Sequence, residues 1–308
     1  MRIYAFIAII IALSCVEGRA QTSPRVSAEF QADVRQLAAE GLRLKEAVEA
    51  GLEPNLRHLA AIFERANPKG LSEAFELRII ESDGRARRTI FRRAEFFFSF
   101  PAASELSKLN ATDINGDGSK EIIVQSSSGG NCWSCNPVEI YRVRNRKAEL
   151  VAAGPIQRIA DLNGDRVMEL LVADSRWENY DDLSHAAAPT ALMVYSWRNG
   201  QYVYASRDFG DFYRGEAERL RAAINEAKAE IIADEFSDET YVGQAMALAI
   251  TYAHAGDPER GLRELEMLMT SNARSAAQTK RRMAILEDFR RGESARKLRA
   301  MKYGDPIS

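Results

Sequence analysis

Two segments of the chain, Asp113-Ile-Asn-Gly-Asp-Gly-Ser-Lys-Glu121 and Asp161-Leu-Asn-Gly-Asp-Arg-Val-Met-Glu169, carry one pattern, D-x-N-G-D-x-x-x-E, and each runs straight into three aliphatic residues. Oxygen ligands stand at positions 1, 3 and 5 (Asp113, Asn115, Asp117; Asp161, Asn163, Asp165), a backbone carbonyl at 7 (Ser119; Val167) and a carboxylate at 9 (Glu121; Glu169). That set suits a hard cation such as Ca2+, which takes six to eight oxygens. Gly116 and Gly164 let the backbone turn around the ion. An EF-hand would need a bidentate Glu at position 12 and a helix after it. Val124 and Val172 stand there, within segments that have the composition of a strand. Asp-Asn-Gly-Asp clusters also make metal-free turns, but two aligned copies ahead of matched strands favour calcium, the first loop above the second.

Asp113–Val124 and Asp161–Val172 resemble the FG-GAP and VCBS repeats of integrin-type β-propellers and of many bacterial surface proteins, which place D-x-[DN]-x-D-G-x-x-[DE] ahead of a strand. The first copy matches at every ligand position; the second has Arg166 where the family has Gly. The resemblance covers residues from about 105 to 210. It implies calcium-stabilised β repeats in an extracytoplasmic protein and no single biochemical activity.

The N-terminus argues for export on separate grounds. Arg2 precedes an apolar run from Tyr4 to Leu13, and Gly18-Arg19-Ala20 places small residues at −3 and −1 of a cut before Gln21, so residues 1–20 read as a signal peptide. The run is short for a membrane span, leaving no transmembrane segment after cleavage. Ala12-Leu13-Ser14-Cys15 is a poor lipobox, so soluble export to the periplasm or medium is favoured over a lipid anchor at Cys15. A net charge of −2 gives no support for nucleic-acid binding. Residues 280–302 are rich in Lys and Arg; a solvated helix face is the preferred reading, with weak contact to an anionic surface as the alternative.

Along the mature chain, Phe30, Val34, Leu37, Leu42 and Val48, then Leu56, Leu59, Ile62 and Phe63, recur at helical intervals. With Pro54 at a helix start and Pro68 and Gly70 at its end, residues 24–70 predict a helical hairpin. From 72 to 212 the chain reads as β. A hairpin turns at Ser82-Asp83-Gly84, Phe96 to Phe100 form a buried apolar run, and each Asp loop precedes strands near 121–125, 138–144 and 148–153, or 169–173, 192–198 and 201–205. Asp113 to Asp161 is 48 residues, the size of one four-stranded propeller blade. Two copies do not close a propeller, which typically needs at least four blades. The expected fold is therefore α+β: an open antiparallel repeat unit flanked by N- and C-terminal helical segments. Residues 213–303 form the second of these. Within 241–270, Ala245-x-x-Leu248-Ala249-x-x-Tyr252-Ala253-x-x-Gly256-Asp257-Pro258-Glu-Arg-Gly261-Leu262 resembles a single tetratricopeptide hairpin, with Gly261 where that family has Ala and Leu268 where it has a small residue.

Chemistry-bearing candidates outside the Asp loops are few. Cys132-Trp-Ser-Cys135 lacks a following helix, further zinc ligands or a haem-attachment His, so a loop-pinning disulfide between Cys132 and Cys135 is the favoured reading over a redox role. Trp177, Glu178, Tyr180, Asp181 and Asp182 form an acidic aromatic loop able to grip a ligand. No nucleophile elbow, HExxH or phosphate-cradling loop is present. The sequence is thus read as an exported, non-enzymatic calcium-binding protein with a protein or glycan partner in the cell envelope. The alternatives are a carboxylate-dependent hydrolase of polysaccharide or cell wall, which an acidic cleft near Trp177 would favour, and a periplasmic inhibitor or partner, which a broad apolar patch on 241–270 would favour.

Overall fold

The computed structural model describes residues 25–66, 72–101, 105–180, 183–234, 236–300, 304, 305 and 307. In chain order these form α1 (Gln31–Ala39), β1 (Leu42–Ala50), β2 (Arg57–Ala66), β3 (Ser72–Ser82), β4 (Arg87–Glu95), β5 (Phe97–Ser99), α2 (Glu105–Leu109), β6 (Glu121–Ser127), β7 (Val138–Arg144), β8 (Lys147–Gly154), β9 (Ile156–Ala160), β10 (Glu169–Ala173), β11 (Leu192–Arg198) and β12 (Gln201–Tyr204). Among the described residues five helices follow: α3 (Gly210–Ala229), α4 (Glu239–His254), α5 (Pro258–Met269), α6 (Ala276–Arg291) and α7 (Glu293–Arg299).

The strands pair antiparallel in three sheets of four, β1-β2-β3-β4, β5-β6-β7-β8 and β9-β10-β11-β12, each a simple meander like a propeller blade. The fold is α+β, with no closed barrel among the described residues. The blades stack face to face in a row. Ala60, Ile62, Leu77 and Ile79 of the first meet Phe98, Ile122, Val124 and Tyr141 of the second. Ile123, Val138 and Ile140 on the second blade's other face meet Ile159, Leu170, Val172 and Tyr202 of the third. Phe30 and Leu37 cover the outer face of blade 1 against Leu59, Ala61 and Phe63. At the far end, Phe209 and Tyr213 of the helical region cover Val194 of blade 3.

Burial on both faces explains why the first blade does not look like one in sequence. The predicted helical hairpin over 24–70 is corrected: among the described residues of that stretch only Gln31–Ala39 is helical, and Gly41, with φ 82°, turns the chain into β1. The helix-like spacing of Leu59, Ile62 and Phe63 belongs to an unbroken run, Leu59–Phe63, in which every side chain is buried, because β2 is a central strand with apolar neighbours on both sides. In β1 a register shift between Leu44 and Glu46 breaks the alternation, so Leu42, Leu44 and Ala47 face α1 while Val48 and Ala50 face blade 2. Pro54 sits in the β1–β2 turn; Pro68 and Gly70 lie outside the described residues. The hairpin at Asp83 is present, its carboxylate Oδ1 accepting the Arg85 and Ala86 N–H groups at 2.9 and 2.8 Å. The phenylalanine run is only half buried: Phe97 points out and Phe98 and Phe100 point in, as the alternation of a strand requires, while Phe96, at the bend before β5, is exposed.

The helices pack around α4, whose side chains are nearly all buried. Gly243 and Gly261 permit this closeness: a Cβ at the first would stand 1.8 Å from the Ala187 carbonyl oxygen, and at the second 2.5 Å from that of Ala249. A broad apolar patch over 241–270 is therefore absent among the described residues, Met267 being the exposed large apolar side chain of that stretch. Part of the basic run is engaged internally, while Lys280, Arg291, Arg296 and Arg299 stay exposed. Arg281 and Arg282 both bind the buried Asp238, Arg290 binds Glu266 at 2.6 Å, and Lys297 donates to the Arg176 carbonyl at 3.2 Å. Near the end of the chain, Gly304, Asp305 and Ile307 bond to the backbone of Tyr202 and Tyr204, extending blade 3 beyond β12. No described helix is long and apolar enough to cross a membrane.

Candidate metal centre

Each Asp loop joins the first and second strands of its blade, and its position-9 glutamate opens the second strand. In the first loop, Gly116 and Gly118 adopt φ 72° and 85°, and the turn wraps around its own carboxylates. Asp113 accepts the Gly116 and Gly118 N–H groups through its two oxygens at 2.8 and 2.9 Å, Asn115 Oδ1 accepts Asp117 N–H at 3.0 Å, and Asp117 Oδ1 accepts Ser119 N–H at 2.9 Å. Glu121 is fully buried and accepts from Ile114 N–H and Asn115 Nδ2, both at 3.0 Å. One carboxylate oxygen each from Asp113, Asp117 and Glu121 lie within 4.8 Å of one another.

Gathering three carboxylates, with Glu121 buried and Asp113 and Asp117 exposed, has an electrostatic cost. Burial, with Asp117 and Asp113 adding repulsion, pushes the Glu121 carboxyl up to about 8. Asp117 is partly desolvated, but the Ser119 N–H and the Arg142 guanidinium hold its carboxyl below the usual range. Arg142 Nη1 lies 2.5 Å from Asp117 Oδ2 and Nη2 3.2 Å from Glu149, while the guanidinium carbon sits 5.8 Å from the Trp197 ring of blade 3. The donor set fits Ca2+: all-oxygen, anionic, and short of cationic partners apart from one arginine.

The second loop repeats the turn with a different interior. Asp161 accepts from Gly164 and Arg166 N–H at 2.7 and 2.9 Å, Asn163 from Asp165, and Asp165 from Val167. Arg166 takes φ 71°, the counterpart of Gly118. Asn163 Nδ2 turns to Asp165 rather than to Glu169, whose oxygens accept from Leu162 N–H and Ser196 Oγ. Burial, reinforced by Asp165 and Asp161, raises the Glu169 carboxyl. Asp161, Asp165 and Glu169 do not converge as the first three do. The loops touch: Ile114 carbonyl accepts Met168 N–H at 2.7 Å, and a Cβ on Gly116 would stand 3.1 Å from Val167 Cγ2.

At the opposite end of the strands, the β6–β7 loop rests on the β10–β11 loop. The Cys132 and Cys135 sulfurs are adjacent, with Cα atoms 4.9 Å apart, and a Cβ on Gly130 would overlap Cys135 Sγ. Trp133 N–H donates to the buried Glu178, and His185 Nε2 lies 3.8 Å from the same carboxylate. The expected ligand loop is thus structural where it is described. Trp177 is fully buried, stacks on Phe289 at 5.4 Å and donates to Asp174 at 2.8 Å; Tyr180 donates to Asp288 at 3.0 Å. Asp181 and Asp182 lie outside the described residues.

Sequence reasoning missed a buried polar cluster around Asp174, which binds Arg176 and faces His254 Nε2 at 3.3 Å, while His254 Nδ1 meets Tyr204 at 2.8 Å. Asp174 and His254 are fully buried, so the pair ties blade 3 to α4 and is closed to a substrate. Eighty residues separate them, and no local motif marks either. No family model matches the sequence, and no curated protein matches it either.

Proposed function

We propose that this is an exported binding protein of the FG-GAP/VCBS-like kind, in which Ca2+ in the first Asp loop stabilises a row of blades and the blades carry the contact with a protein or glycan partner. The observation that carries the reading is the convergence of Asp113, Asp117 and the buried Glu121 within 4.8 Å, a site whose mutual repulsion a divalent cation relieves. Asp113, Asn115, Asp117 and Glu121 would hold the ion through side chains and Ser119 through its carbonyl. The ion's part is to tie loop to strand. A binding role is favoured over hydrolysis because Trp177 and Glu178, the groups best suited to a sugar cleft, are spent on internal contacts.

The test is thermal denaturation with chelator and with millimolar calcium. Affinity on the order of 0.1–1 mM, the extracellular range, raises the melting temperature of the wild type, and Asp117→Ala removes most of that rise. A wild type whose melting is indifferent to calcium overturns the reading.

A further inference from the structure

We propose a second cation site, in the β1–β2 turn of blade 1, formed by Glu53, His58 and Glu81 and suited to a transition metal such as Zn2+. The turn joins the first and second strands of its blade, as the Asp loops do in blades 2 and 3. The ladder registers make the correspondence specific. His58 pairs with Glu81 across β2 and β3, Glu121 with Arg142 across β6 and β7, and Glu169 lies beside Ser196 across β10 and β11. His58 thus holds in blade 1 the place of the position-9 glutamates, and blade 1 replaces their hard oxygen with an imidazole nitrogen.

Ligand atoms of Glu53, His58 and Glu81 lie within 4.8 Å of one another. His58 is fully buried and Glu81 is 3% exposed, yet His58 Nε2 and Glu81 Oε2 have no hydrogen-bond partner and face each other at 3.8 Å. That gap is too long for a hydrogen bond and is spanned by one ion bonded to both atoms at about 2.0–2.2 Å. Buried polar atoms without partners are rare and call for an occupant. Glu53, half exposed in the turn, is the third ligand and the route of entry, and the fourth position falls to water. One nitrogen with two carboxylates selects a borderline metal over Ca2+.

The surrounding groups set the terms. Glu81 Oε1 is held by Arg88 at 3.1 Å and Arg146 at 3.4 Å, and Glu53 Oε2 accepts the Arg146 N–H at 3.0 Å. Oε2 of Glu81 is left for the metal, and the two guanidinium groups hold the affinity down. His58 Nδ1 accepts the Leu52 N–H at 3.3 Å, so in the metal-free protein the ring proton is on Nε2. On binding, the ring proton moves to Nδ1, Nε2 takes the metal, and the Leu52 amide gives up its contact. Leu52 and Glu53 are adjacent, so the amide that gives up its contact and the carboxylate that takes the ion lie in one turn.

The site is independent of the calcium reading, and its experiment uses the full chain carrying Asp117→Ala, which leaves the β1–β2 turn intact. Titration calorimetry with Zn2+ should give one site per chain and a raised melting temperature; Co2+ in its place should give visible absorption bands of a nitrogen-ligated low-coordinate ion. His58→Gln should weaken Zn2+ at least about tenfold and abolish the Co2+ bands. Glu53→Gln, in the exposed turn, should weaken binding to a similar degree and serves if the buried variant does not fold. Absence of Zn2+ binding, or binding that survives both substitutions, overturns the proposal.

Discussion

Arg142 stands opposite Glu121 in the β6–β7 ladder and reaches past it to Asp117, so a guanidinium sits at the mouth of the first Asp loop. In blade 3 the equivalent place holds Ser196, which donates to Glu169. The loop with the converging carboxylates is therefore the one with a cation already beside it. A calcium ion there would compete with Arg142, which has Glu149 and the Trp197 face to retreat to.

Arg142→Gln should tighten calcium binding roughly tenfold, the equivalent of about 1.4 kcal/mol, by removing a charge near the ion. Titration calorimetry at low salt reads it. Weaker or unchanged affinity would mean that the guanidinium helps build the loop instead of competing for it.

Stability without calcium should depend on pH through Glu121. Its folded value of about 8 lies above its ordinary 4.5, so the protonated native carboxyl contributes stability that is full below about 4.5 and is lost as pH rises through 8. With chelator present, melting temperature should fall from pH 5 to pH 8; with saturating calcium the decline should shrink, and Glu121→Gln should flatten it. Calcium binding near pH 7 should release up to about one proton, measured from calorimetry in buffers of different ionisation enthalpy. A chelated wild type with no slope contradicts this.

One calcium site should dominate. Asp161, Asp165 and Glu169 do not converge, and Arg166 holds a left-handed conformation that costs a non-glycine residue about 1–2 kcal/mol. Arg166→Gly should strengthen the second loop, appearing as a second calorimetric transition. Two equal sites in the wild type would defeat the asymmetry.

If Cys132 and Cys135 form a structural disulfide, the purified chain has no free thiol until denatured and reduced. Replacing both by Ser should then lower stability modestly, since the loop closed is short. Robust insulin-reductase activity lost in the double variant would move the pair to the redox class.

Asp238 neutralises Arg282, which is buried and also lies 4.8 Å from the Tyr241 ring. Asp238→Ala strands that charge and should cost about 3–5 kcal/mol in denaturant unfolding. Arg281 on the same carboxylate adds to the loss, and a cost under about 1 kcal/mol would show that Arg282 finds another partner.

The last three strands of blades 2 and 3 were legible because each set carries signals within a few residues: an Asp loop, then Ile-Ile-Val or Leu-Leu-Val, then a turn such as Asn199-Gly200; their first strands, β5 and β9, precede the loops and carry no such signal. Of blade 1 the sequence showed the β3–β4 hairpin and not β1 and β2, because their loop has no Asp pattern, the central strand β2 is apolar without alternation, and the edge strand β1 shifts register at Lys45. The contacts that decide sites were harder still. His58 meets Glu81, and Asp174 meets His254, through strand register and helix docking, which leave no local spacing to read. Trp177 and Glu178 had the composition of a binding loop and are instead fixed by Asp174, Phe289 and Trp133.

A ring of blades fixes its own number, since the last must meet the first. A row does not. Among the described residues the apolar faces of each blade meet its immediate neighbours, with α1 and the helical region as end plates, so the architecture can gain or lose a unit wherever two matching faces meet, and a lesion in blade 1 can peel that end away while the plates at the other end hold.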